Sequence, residues 1–345
     1  MKKAGENLYR KWAQINVDKL QYNYDLVKLT TKSKVLCVVK AHAYGHGLIE
    51  TAKYFESFGA DYLGVSSLGE ALRLREAKIK CPILVMGYIP PANLLQAVER
   101  NITITVTDHK TLKELSKLGK RAKVHIKINS GMNRLGFSRL DKSKIFLPNI
   151  EVEGIFSHFA CEDYETCKKQ YDRFMKIIKG IDVPIKHISN SNAIFKFPEF
   201  DLDMVRAGIC LYGYGNEHVK PALSLKAIVT HSFEVKKGEG ISYEFSYKAK
   251  ENEKIAVIPV GYADGVPRIL SNNFSVKIGR KEAPSVGNIC MDMFMVKSSA
   301  KVGTEVIVYD DVTELAKKAG TITYEMLTSI AERIPRVYLK RSEKL

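Results

Sequence analysis

The chain has 345 residues, 45% hydrophobic and 27% charged, a composition typical of a globular protein with one large domain or two ordinary ones. No stretch approaches the roughly 18 uninterrupted apolar residues of a membrane helix, and no apolar core follows the basic start MKKAGENLYRKW, so we expect neither a membrane anchor nor a secretory signal. The net charge of +16 comes from basic residues dispersed among acidic ones, which disfavours a nucleic-acid-binding arm.

Six cysteines occur singly and at irregular spacing, with no Cys-x-x-Cys pair: Cys37, Cys81, Cys161, Cys167, Cys210 and Cys290. Several lie in apolar runs such as KVLCVVK, where a free thiol is usually buried as a small hydrophobic group. Nothing in their spacing indicates the paired framework of a secreted protein. We therefore expect free thiols and a reducing, cytoplasmic location.

Short apolar or β-branched runs begin near residues 34, 61, 82, 102, 123, 152, 184 and 203. Between them lie amphipathic helical patterns with start and stop signals. Ser67 and Glu70 can form a capping box, and Asp108 can cap a helix that Gly119 ends. Continuous apolar strands that alternate with helices indicate a parallel sheet covered by helices. Eight such units predict an α/β fold with a (β/α)8 TIM-like barrel, whose chemistry lies on the loops after the strands.

The pattern changes after about residue 225. Several segments have the composition of strands joined by Gly, Asn and Asp turns: SLKAIVTHSFEVKK, EKIAVIPVGYADG, FSVKIG, MDMFMVKSS and TEVIVYD. Helical periodicity returns only at 323–334. We expect residues 12–225 to form the barrel and residues 226–345 a mainly β C-terminal domain, with residues 1–11 as a candidate addition to the second domain.

Lys40 ends the first apolar run, in VVKAHAYGHG. A lysine at the carboxyl end of a buried barrel strand loses hydration, which lowers its pKa and frees its amine for nucleophilic attack. Taken alone, such a lysine more often extends its amine into solvent. Gly45 and Gly47 allow close backbone approach and Tyr44 offers a phenolic donor, so the neighbourhood favours the nucleophile.

His42 and His46 in the same segment lie four residues apart, a spacing that would pair two metal ligands on a helix. On a strand-to-loop segment they would not face one another. No acidic third ligand is evident in the sequence. We expect no metal here.

The segment VVKAHAYGHG resembles the cofactor-lysine motif of the alanine racemase family, a family of fold-type III pyridoxal-phosphate enzymes. Further resemblances to the family follow in order along nearly the whole chain: IKINSGMNRLGF at 126–137, FSHFA at 156–160, SNSNA at 189–193, MVRAGICLYG at 204–213, ISYEFSY at 241–247, PVGYADG at 259–265, VGNICMDM at 286–293 and IPR at 334–336. The resemblance implies bound pyridoxal 5'-phosphate, a homodimer, and interconversion of L- and D-alanine that supplies D-alanine for peptidoglycan.

The resemblance also implies two bases on opposite faces of the substrate. Lys40 would carry the cofactor and act as one base, and Tyr243 would act as the other. Racemisation needs both, because the α-proton leaves one face of a planar carbon and returns to the other. Phenols ionise near pH ~10, so a tyrosine base needs cationic neighbours; His158 matches the histidine that contacts this tyrosine and the family's arginine. Without the resemblance, Tyr243 would be an ordinary strand aromatic.

Arg206 matches the arginine that faces the pyridine nitrogen of the cofactor. A guanidinium cannot accept a proton, so the ring nitrogen would stay neutral; taken alone, Arg206 would be a structural ion-pair partner. The phosphate would lie at the mouth of the last barrel strands, where backbone amides bind anions. The matching donors are Ser191, the amides of Gly208 and Ile209, and Tyr44.

Arg134 matches the arginine that binds the substrate carboxylate. Lys127 matches a lysine that is often carbamylated in the family, which would turn two repelling cations into an ion pair. Asn129 departs from the family, since many members have aspartate there. Glu332 departs further, because it aligns with a tyrosine that gates the site and touches the phosphate. A carboxylate would repel that phosphate, so we expect Glu332 to turn away or the gate to be remodelled.

Residues of the C-terminal half are implied to complete the site of a neighbouring subunit. Met291 and Asp292 match residues that reach across with Tyr243, so the resemblance implies a head-to-tail homodimer with shared sites. Tyr262 and Arg268 match positions that line the substrate entry channel.

Three other functions stay open. A broader racemase of the same fold would act on serine or larger side chains. Fold-type III decarboxylases share both domains, but their Gly-rich phosphate loop and cysteine-centred substrate loop are not evident here. A non-catalytic pyridoxal-phosphate carrier would need only the barrel, whereas this chain adds a long β region that contains Tyr243.

Overall fold

The computed structural model describes residues 9–340, which form two compact units. We call residues 20–43 and 47–220 the barrel unit. The described residues through Lys19, residues 44–46, and those from Pro221 onward make up the β unit. Residues 1–8 and 341–345, which the sequence assigns to the β domain or its candidate addition, lie outside the described residues.

The described chain starts with strand β1 (Lys11–Asn16) and helix α1 (Val17–Thr30). The barrel strands follow: β2 (Lys34–Val38), β3 (Tyr62–Val65), β4 (Ile83–Val85), β5 (Thr103–Val106), β6 (Ala122–Lys127), β7 (Ile150–Phe156), β8 (Ile185–His187) and β9 (Met204–Ala207). The helices among them are α2 (Leu48–Phe58), α3 (Leu68–Glu76), α4 (Leu94–Glu99), α5 (His109–Lys117), α6 (Tyr164–Ile178) and α7 (Ser191–Lys196).

These eight strands form one parallel sheet in the order β8-β7-β6-β5-β4-β3-β2-β9. The two end strands approach each other, and the Arg206 amide donates to the Ser189 carbonyl at 3.0 Å. The sheet is therefore a nearly closed barrel, and the predicted (β/α)8 architecture is confirmed. Each strand begins within two residues of the position that its apolar run predicts.

The predicted helix boundaries in the barrel unit are also confirmed. The Ser67 hydroxyl accepts from the Glu70 amide, and the Glu70 side chain returns the contact, which is the capping box of α3. Asp108 accepts from the Thr111 amide and so caps α5. Gly119 follows that helix in the left-handed conformation, with φ of 67°.

The barrel core is mostly apolar, because both faces of a barrel strand are covered. Strands β3, β4 and β9 are buried at every position. The exceptions to an apolar core include four cationic or titratable side chains on neighbouring strands: His125, Lys127, His187 and Arg206. Burial of such groups is costly unless they are paired, so their clustering marks a site.

The β unit contains the strands β10 (Leu223–Ile228), β11 (His231–Val235), β12 (Gly240–Ile241), β13 (Tyr247–Lys248), β14 (Glu253–Ile258), β15 (Ser275–Ile278), β16 (Lys281–Val286), β17 (Phe294–Lys297), β18 (Glu305–Tyr309) and β19 (Arg336–Leu339). Nine strands form one sheet in the order β11-β14-β17-β16-β15-β18-β10-β1-β19. Strand β1 lies between β10, antiparallel, and β19, parallel. Strands β12 and β13 pair separately.

The helices of the β unit differ from the prediction of one helical stretch at 323–334. Two short helices form instead, α8 (Thr313–Lys318) and α9 (Thr323–Thr328). Six residues are too few to show a full helical period, so α8 escapes detection. The second helix ends at Thr328, so the pattern over 323–334 overestimates its length by six residues.

Short 3-10 segments complete the secondary structure: Pro91–Asn93, Lys142–Lys144, Pro198–Phe200, Ile209–Tyr212, Tyr243–Phe245, Tyr262–Asp264 and Arg268–Leu270. None of the helices within residues 9–340 has both the length and the apolar character needed to cross a lipid bilayer.

Candidate active site

Lys40 follows strand β2 and starts an unusual backbone segment. Residues 41–44 all have φ between 51° and 56°, which is one turn of left-handed helix. Each L-residue in that conformation costs about 1–2 kcal/mol, so surrounding contacts must hold the turn. One is the Glu70 carboxylate, which accepts from the Ala41 amide at 2.7 Å. The residue that caps α3 therefore also fixes the backbone next to Lys40.

The Lys40 amine is half-buried and lies among other cations. Burial lowers its pKa, the charges of Arg134 and Arg206 lower it further, and Glu70 opposes them. A lower pKa increases the neutral fraction of the amine at neutral pH, which is the nucleophilic form. The sequence-based prediction for Lys40 thus has electrostatic support in the barrel unit.

Arg206 is 3% exposed and is held by four acceptors. Its Nη2 donates to the carbonyl oxygens of Ser157 (2.8 Å) and Ile188 (2.9 Å). Nη2 and Nη1 contact the Nδ1 atoms of His158 and His187, each at 2.9 Å. Burial and the Arg134 charge lower the pKa of Arg206 to about 9. Within residues 9–340 no carboxylate contacts this guanidinium, so the sequence alternative of a direct structural ion pair is wrong.

His158 is a neutral histidine with a defined tautomer. Burial and the Arg206, Lys127, Arg134 and Lys40 charges hold its pKa well below the usual range. Because Arg206 can only donate, Nδ1 of His158 accepts and its proton lies on Nε2. The same electrostatic contacts show that four predicted site cations lie close together.

Lys127, the last residue of β6, is 8% exposed and lies 4.4 Å from the centre of the Phe156 ring. Burial, Arg206 and Arg134 hold its pKa well below the usual range. Lys127 and Arg134 line one small cavity with Ser157 and His158. The structure thus brings the predicted pair Lys127 and Arg134 to one place.

Asn129 organises the loop that carries Arg134. Its Oδ1 accepts from the amides of Gly131 (3.1 Å) and Asn133 (3.0 Å), and its Nδ2 donates to the Asn133 and Ser138 side chains. Asn129, which replaces the aspartate of many family members, therefore holds this loop through hydrogen bonds of a neutral side chain. Gly136 closes this loop against the strand, since a Cβ there would lie 2.6 Å from the Lys127 carbonyl oxygen.

Three of the predicted phosphate donors, those of Ser191, Gly208 and Ile209, lie beside one another at the end of β9. Ser191, which starts α7, accepts at Oγ from the amides of Gly208 (2.9 Å) and Cys210 (3.4 Å). Ile209 is the first residue of the 3-10 segment, so the segment itself does not use its amide. The Gly208 amide is engaged by Ser191, so it would serve an anion only after that hydrogen bond is exchanged.

Tyr44 belongs to the β unit, where its ring lies 6.0 Å from the ring of Tyr324 in α9. The sequence did not single out Tyr324, because nothing in a six-residue helix marks a distant aromatic contact. Glu332 is exposed, and its charge acts on Arg336.

Tyr243 lies in a strained, exposed turn of the β unit. It is 70% exposed, and its neighbours Ser242 and Glu244 have φ of 67° and 61°. Two hydrogen bonds hold the turn: Ser242 Oγ donates to the Asn288 carbonyl (2.7 Å), and Asn288 Nδ2 donates to the Tyr243 carbonyl (3.0 Å). The strain is fixed by neighbouring structure, as is common at functional positions.

Tyr243 shares a cavity of about 550 Å³ with the predicted residues Met291 and Asp292. Asp292 is held by Arg333 at 2.7 Å, and Arg333 also binds the buried Asp264 at 2.8 Å. Tyr262 is 43% exposed. Arg268 lies 3.9 Å from Glu244, the residue after Tyr243.

A parallel barrel with a candidate nucleophile, Lys40, at the carboxyl end of one of its strands is the arrangement of an enzyme. The sequence matches the models of the alanine racemase N-terminal domain over residues 15–216 and of the C-terminal domain over residues 222–338. Curated alanine racemases from Methanococcus maripaludis and Clostridium tetani are 42% and 39% identical, each over 95% of this chain and over 98% and 95% of their own.

Solved structures agree with the sequence matches. An alanine racemase of Clostridium difficile superposes with a TM-score of 0.92 at 38% identity, covering 97% of both chains. An alanine racemase of Bacillus anthracis with bound L-Ala-P superposes with a TM-score of 0.89 at 34% identity, covering 97% of this chain and 96% of the other. The chain belongs to the alanine racemase family.

Proposed function

We propose that this protein interconverts L- and D-alanine with pyridoxal 5'-phosphate bound to Lys40. The observation that carries the proposal is the Lys40 amine, whose pKa is lowered by burial and by cations at the end of a barrel strand. The named relatives are alanine racemases. D-alanine is a component of peptidoglycan, so we propose that the product enters cell-wall synthesis.

The donor set of the barrel unit fits this cofactor. Lys40 offers an amine for covalent attachment, and Arg206 offers donors to a neutral ring nitrogen because its guanidinium cannot accept a proton. Ser191 and the Gly208 and Ile209 amides suit a phosphate, to which we add the phenol of Tyr44. When bound, the cofactor withdraws electrons from the substrate and acidifies its α-hydrogen.

Two bases would move the α-proton, Lys40 on one face and Tyr243 on the other. His158 supports this pair, because its Nδ1 accepts from Arg206 and leaves the Nε2 proton to donate to a phenolate. Arg134 would bind the substrate carboxylate, as a guanidinium fits a carboxylate with two parallel hydrogen bonds.

We propose that Lys127 is carbamylated. Its low pKa leaves the amine neutral, so that it can attack carbon dioxide, form an N–C bond and release one proton. The carbamate would be an anion beside Arg134 and would form an ion pair with it. Protein prepared in 13C-labelled bicarbonate should show one added carbamate signal that Lys127→Arg lacks. A bare ammonium in an electron-density map would contradict the proposal.

A homodimer would bring Tyr243 to the site of a second copy of the chain. The β unit presents several exposed apolar side chains around the cavity: Tyr243 (70%), Phe245 (66%), Met291 (53%) and Met293 (44%). An exposed cluster of this kind commonly marks a protein interface. Met291 and Asp292 would reach the second copy, and Tyr262 and Arg268 would line the entry to its site.

We also propose a cytoplasmic location. All six cysteines lie in the described residues and none is paired in a disulfide. Free thiols of this kind are typical of a reducing compartment.

The test is direct. Purified protein should be yellow, lose its visible absorption with borohydride, and racemise L-alanine in a chirality assay run over a panel of amino acids. Lys40→Ala should be colourless and inactive, whereas Lys34→Ala, at the exposed start of the same strand, should match the parent protein. A colourless parent that does not respond to added pyridoxal phosphate would overturn the proposal.

A further inference from the structure

Arg206 is a buried cation without a carboxylate in contact among residues 9–340, although a buried charge is costly unless an opposite charge balances it. One of its four contacts leads further into the barrel. Nη1 of Arg206 lies 2.9 Å from Nδ1 of His187, and Nε2 of His187 lies 2.9 Å from Nδ1 of His125. The remaining nitrogen of His125, Nε2, lies 3.7 Å from Oε2 of Glu153. A chain of side chains therefore connects the arginine to one carboxylate.

The direction of both hydrogen bonds in this chain follows from its Arg206 end. Arg206 can only donate, so Nδ1 of His187 accepts and the His187 proton lies on Nε2. That proton is donated to Nδ1 of His125, which places the His125 proton on Nε2. Nε2 of His125 has no hydrogen-bond partner among the described residues, and the Glu153 carboxylate, 3.7 Å away, is the charge that this N–H faces. Both hydrogen bonds therefore run from Arg206 towards His125, whose remaining N–H is turned to Glu153.

The surroundings are built to hold this arrangement. The His187 ring stacks on Phe156, with centroids 4.6 Å apart and planes 11° apart. Gly154 leaves room for the His125 ring, because a Cβ there would lie 2.6 Å from its Cε1. Both imidazoles are fully buried. Neither ring is free to turn and reverse its hydrogen bonds.

Glu153 is fixed as an anion at the far end. Its carboxylate accepts from the Thr103 hydroxyl (3.3 Å) and the Lys123 amine (3.4 Å). Burial raises the pKa of Glu153, but the nearby His125, Tyr62 and Lys123 side chains outweigh it and bring the value to about 2. Burial also lowers the pKa of both histidines, so they are neutral and each carries one proton.

We propose that Glu153 is a positioning residue for Arg206, which it reaches through His125 and His187. Its carboxylate faces the last N–H of the chain at 3.7 Å, and this charge favours the tautomers that keep the acceptor nitrogen of His187 turned to the guanidinium. Without that acceptor, either the His125 proton is left unpaired or the chain reverses, and reversal sets an N–H of His187 against an N–H of Arg206. The consequence for the cofactor rests on the proposed function, but the hydrogen-bond direction does not.

The test uses imidazole 15N chemical shifts of the full-length protein, measured both with its cofactor and after the cofactor is removed. These shifts distinguish protonated from unprotonated ring nitrogens. In the parent protein His125 and His187 should both be neutral with the proton on Nε2. A His187 protonated on Nδ1 would overturn the proposal without any substitution.

Three variants separate the acceptor from a general effect of charge. Glu153→Leu removes the acceptor and should mix the tautomers of at least one histidine. It should also lower kcat about tenfold, because part of the Arg206 population would lose its His187 acceptor, with little change in the KM for alanine. Glu153→Gln keeps an acceptor oxygen and should retain the parent tautomers. Glu151→Leu removes a charge two residues away on the same strand, where Glu151 pairs with Arg121, and should change neither readout.

Parent tautomers together with a kcat within about twofold in Glu153→Leu would overturn the proposal. So would an equal effect of Glu151→Leu. A protein that shows the predicted tautomers but does not racemise alanine would count against the proposed function alone.

Discussion

The two units of the chain depart in opposite ways from the usual distribution of residues between core and surface. The barrel unit buries cations, with Lys127 and Arg206 at 8% and 3% exposure. The β unit exposes apolar side chains, with Tyr243 and Phe245 at 70% and 66%. Charged residues are rarely buried and large apolar patches are rarely exposed on a monomer, so each unit departs from the usual distribution in its own way.

The two departures have different physical meanings. Buried cations lose hydration, so their pKa values fall and their amines become reactive. Exposed apolar side chains contribute no hydrophobic free energy while water covers them. They stabilise an assembly when another surface covers them. The barrel unit therefore holds chemistry that one chain can assemble, whereas the β unit carries residues that a second copy would use.

Tyr243→Phe tests the contribution of the β unit most strongly. Loss of one base should reduce racemisation about a thousandfold, within the range of general acid–base effects. The rate of α-proton exchange should fall far more for L-alanine than for D-alanine, because Lys40 still removes the proton from the face that D-alanine presents. The two exchanges can be followed in deuterated solvent by NMR. Equal losses for both isomers would contradict the two-base assignment, and Tyr247→Phe, which loses a hydrogen bond to Glu253, is the matched control.

Arg206→Lys tests the barrel unit. A lysine has one nitrogen and cannot reach four acceptors at once, so kcat should fall about a hundredfold. Arg75 is a suitable control, because its guanidinium also binds carbonyl oxygens, those of Ile79, Cys81, Arg100 and Asn101. Arg75→Lys should lower the melting temperature and leave kcat unchanged. The same kcat loss in both variants would indicate general destabilisation.

Met291→Lys tests whether the exposed apolar side chains of the β unit form a dimer interface. A charge in the exposed apolar cluster should weaken the dimer, and a roughly tenfold rise in its dissociation constant is expected for about 1.4 kcal/mol of lost burial. Analytical ultracentrifugation and activity measured against protein concentration would report it. Phe146→Lys, at a residue 55% exposed in the barrel unit, should leave assembly unchanged. Concentration-independent activity in Met291→Lys would argue against a shared site.

Acid unfolding gives the smallest expected effect. The pKa of Glu153 falls from 4.5 to about 2 in the folded protein. Its contribution to stability is therefore complete above about pH 4.5 and is lost as the pH falls towards about 2. Urea unfolding of Glu153→Gln should show a weaker pH dependence in that window than the parent. Glu151→Gln should follow the parent curve, and an unchanged slope in Glu153→Gln would contradict the low pKa.

Most of the barrel follows from local sequence patterns, because apolar runs and helix caps act over a few residues. Ser67, Glu70 and Asp108 form the caps that their spacing predicts. The β unit is harder, because α8 is too short to show a period and β19 pairs with β1, more than 300 residues away in the chain.

The site residues divide in the same way. Lys40 and Arg206 stand out at strand ends once their motifs are recognised. The sequence does not single out His125, His187 or Glu153. They lie on three different strands, and no spacing in the chain indicates that their side chains are in contact. A polar residue within an apolar barrel strand is the one signal that could have singled out His125 and His187. Glu332 aligns with a tyrosine of the family, but its charge acts on Arg336. Its role at the gate stays a prediction.

Two of the four groups that hold Arg206 are main-chain carbonyl oxygens, those of Ser157 and Ile188. Replacement of either side chain leaves the oxygen in place as long as the strand path is kept. The guanidinium is thus insulated from most single-residue changes around it. Over evolutionary time the residues at 157 and 188 can vary while the arginine keeps its place. Resistance to an inhibitor that depends on this arginine would then need a change in Arg206, in its histidines or in Glu153.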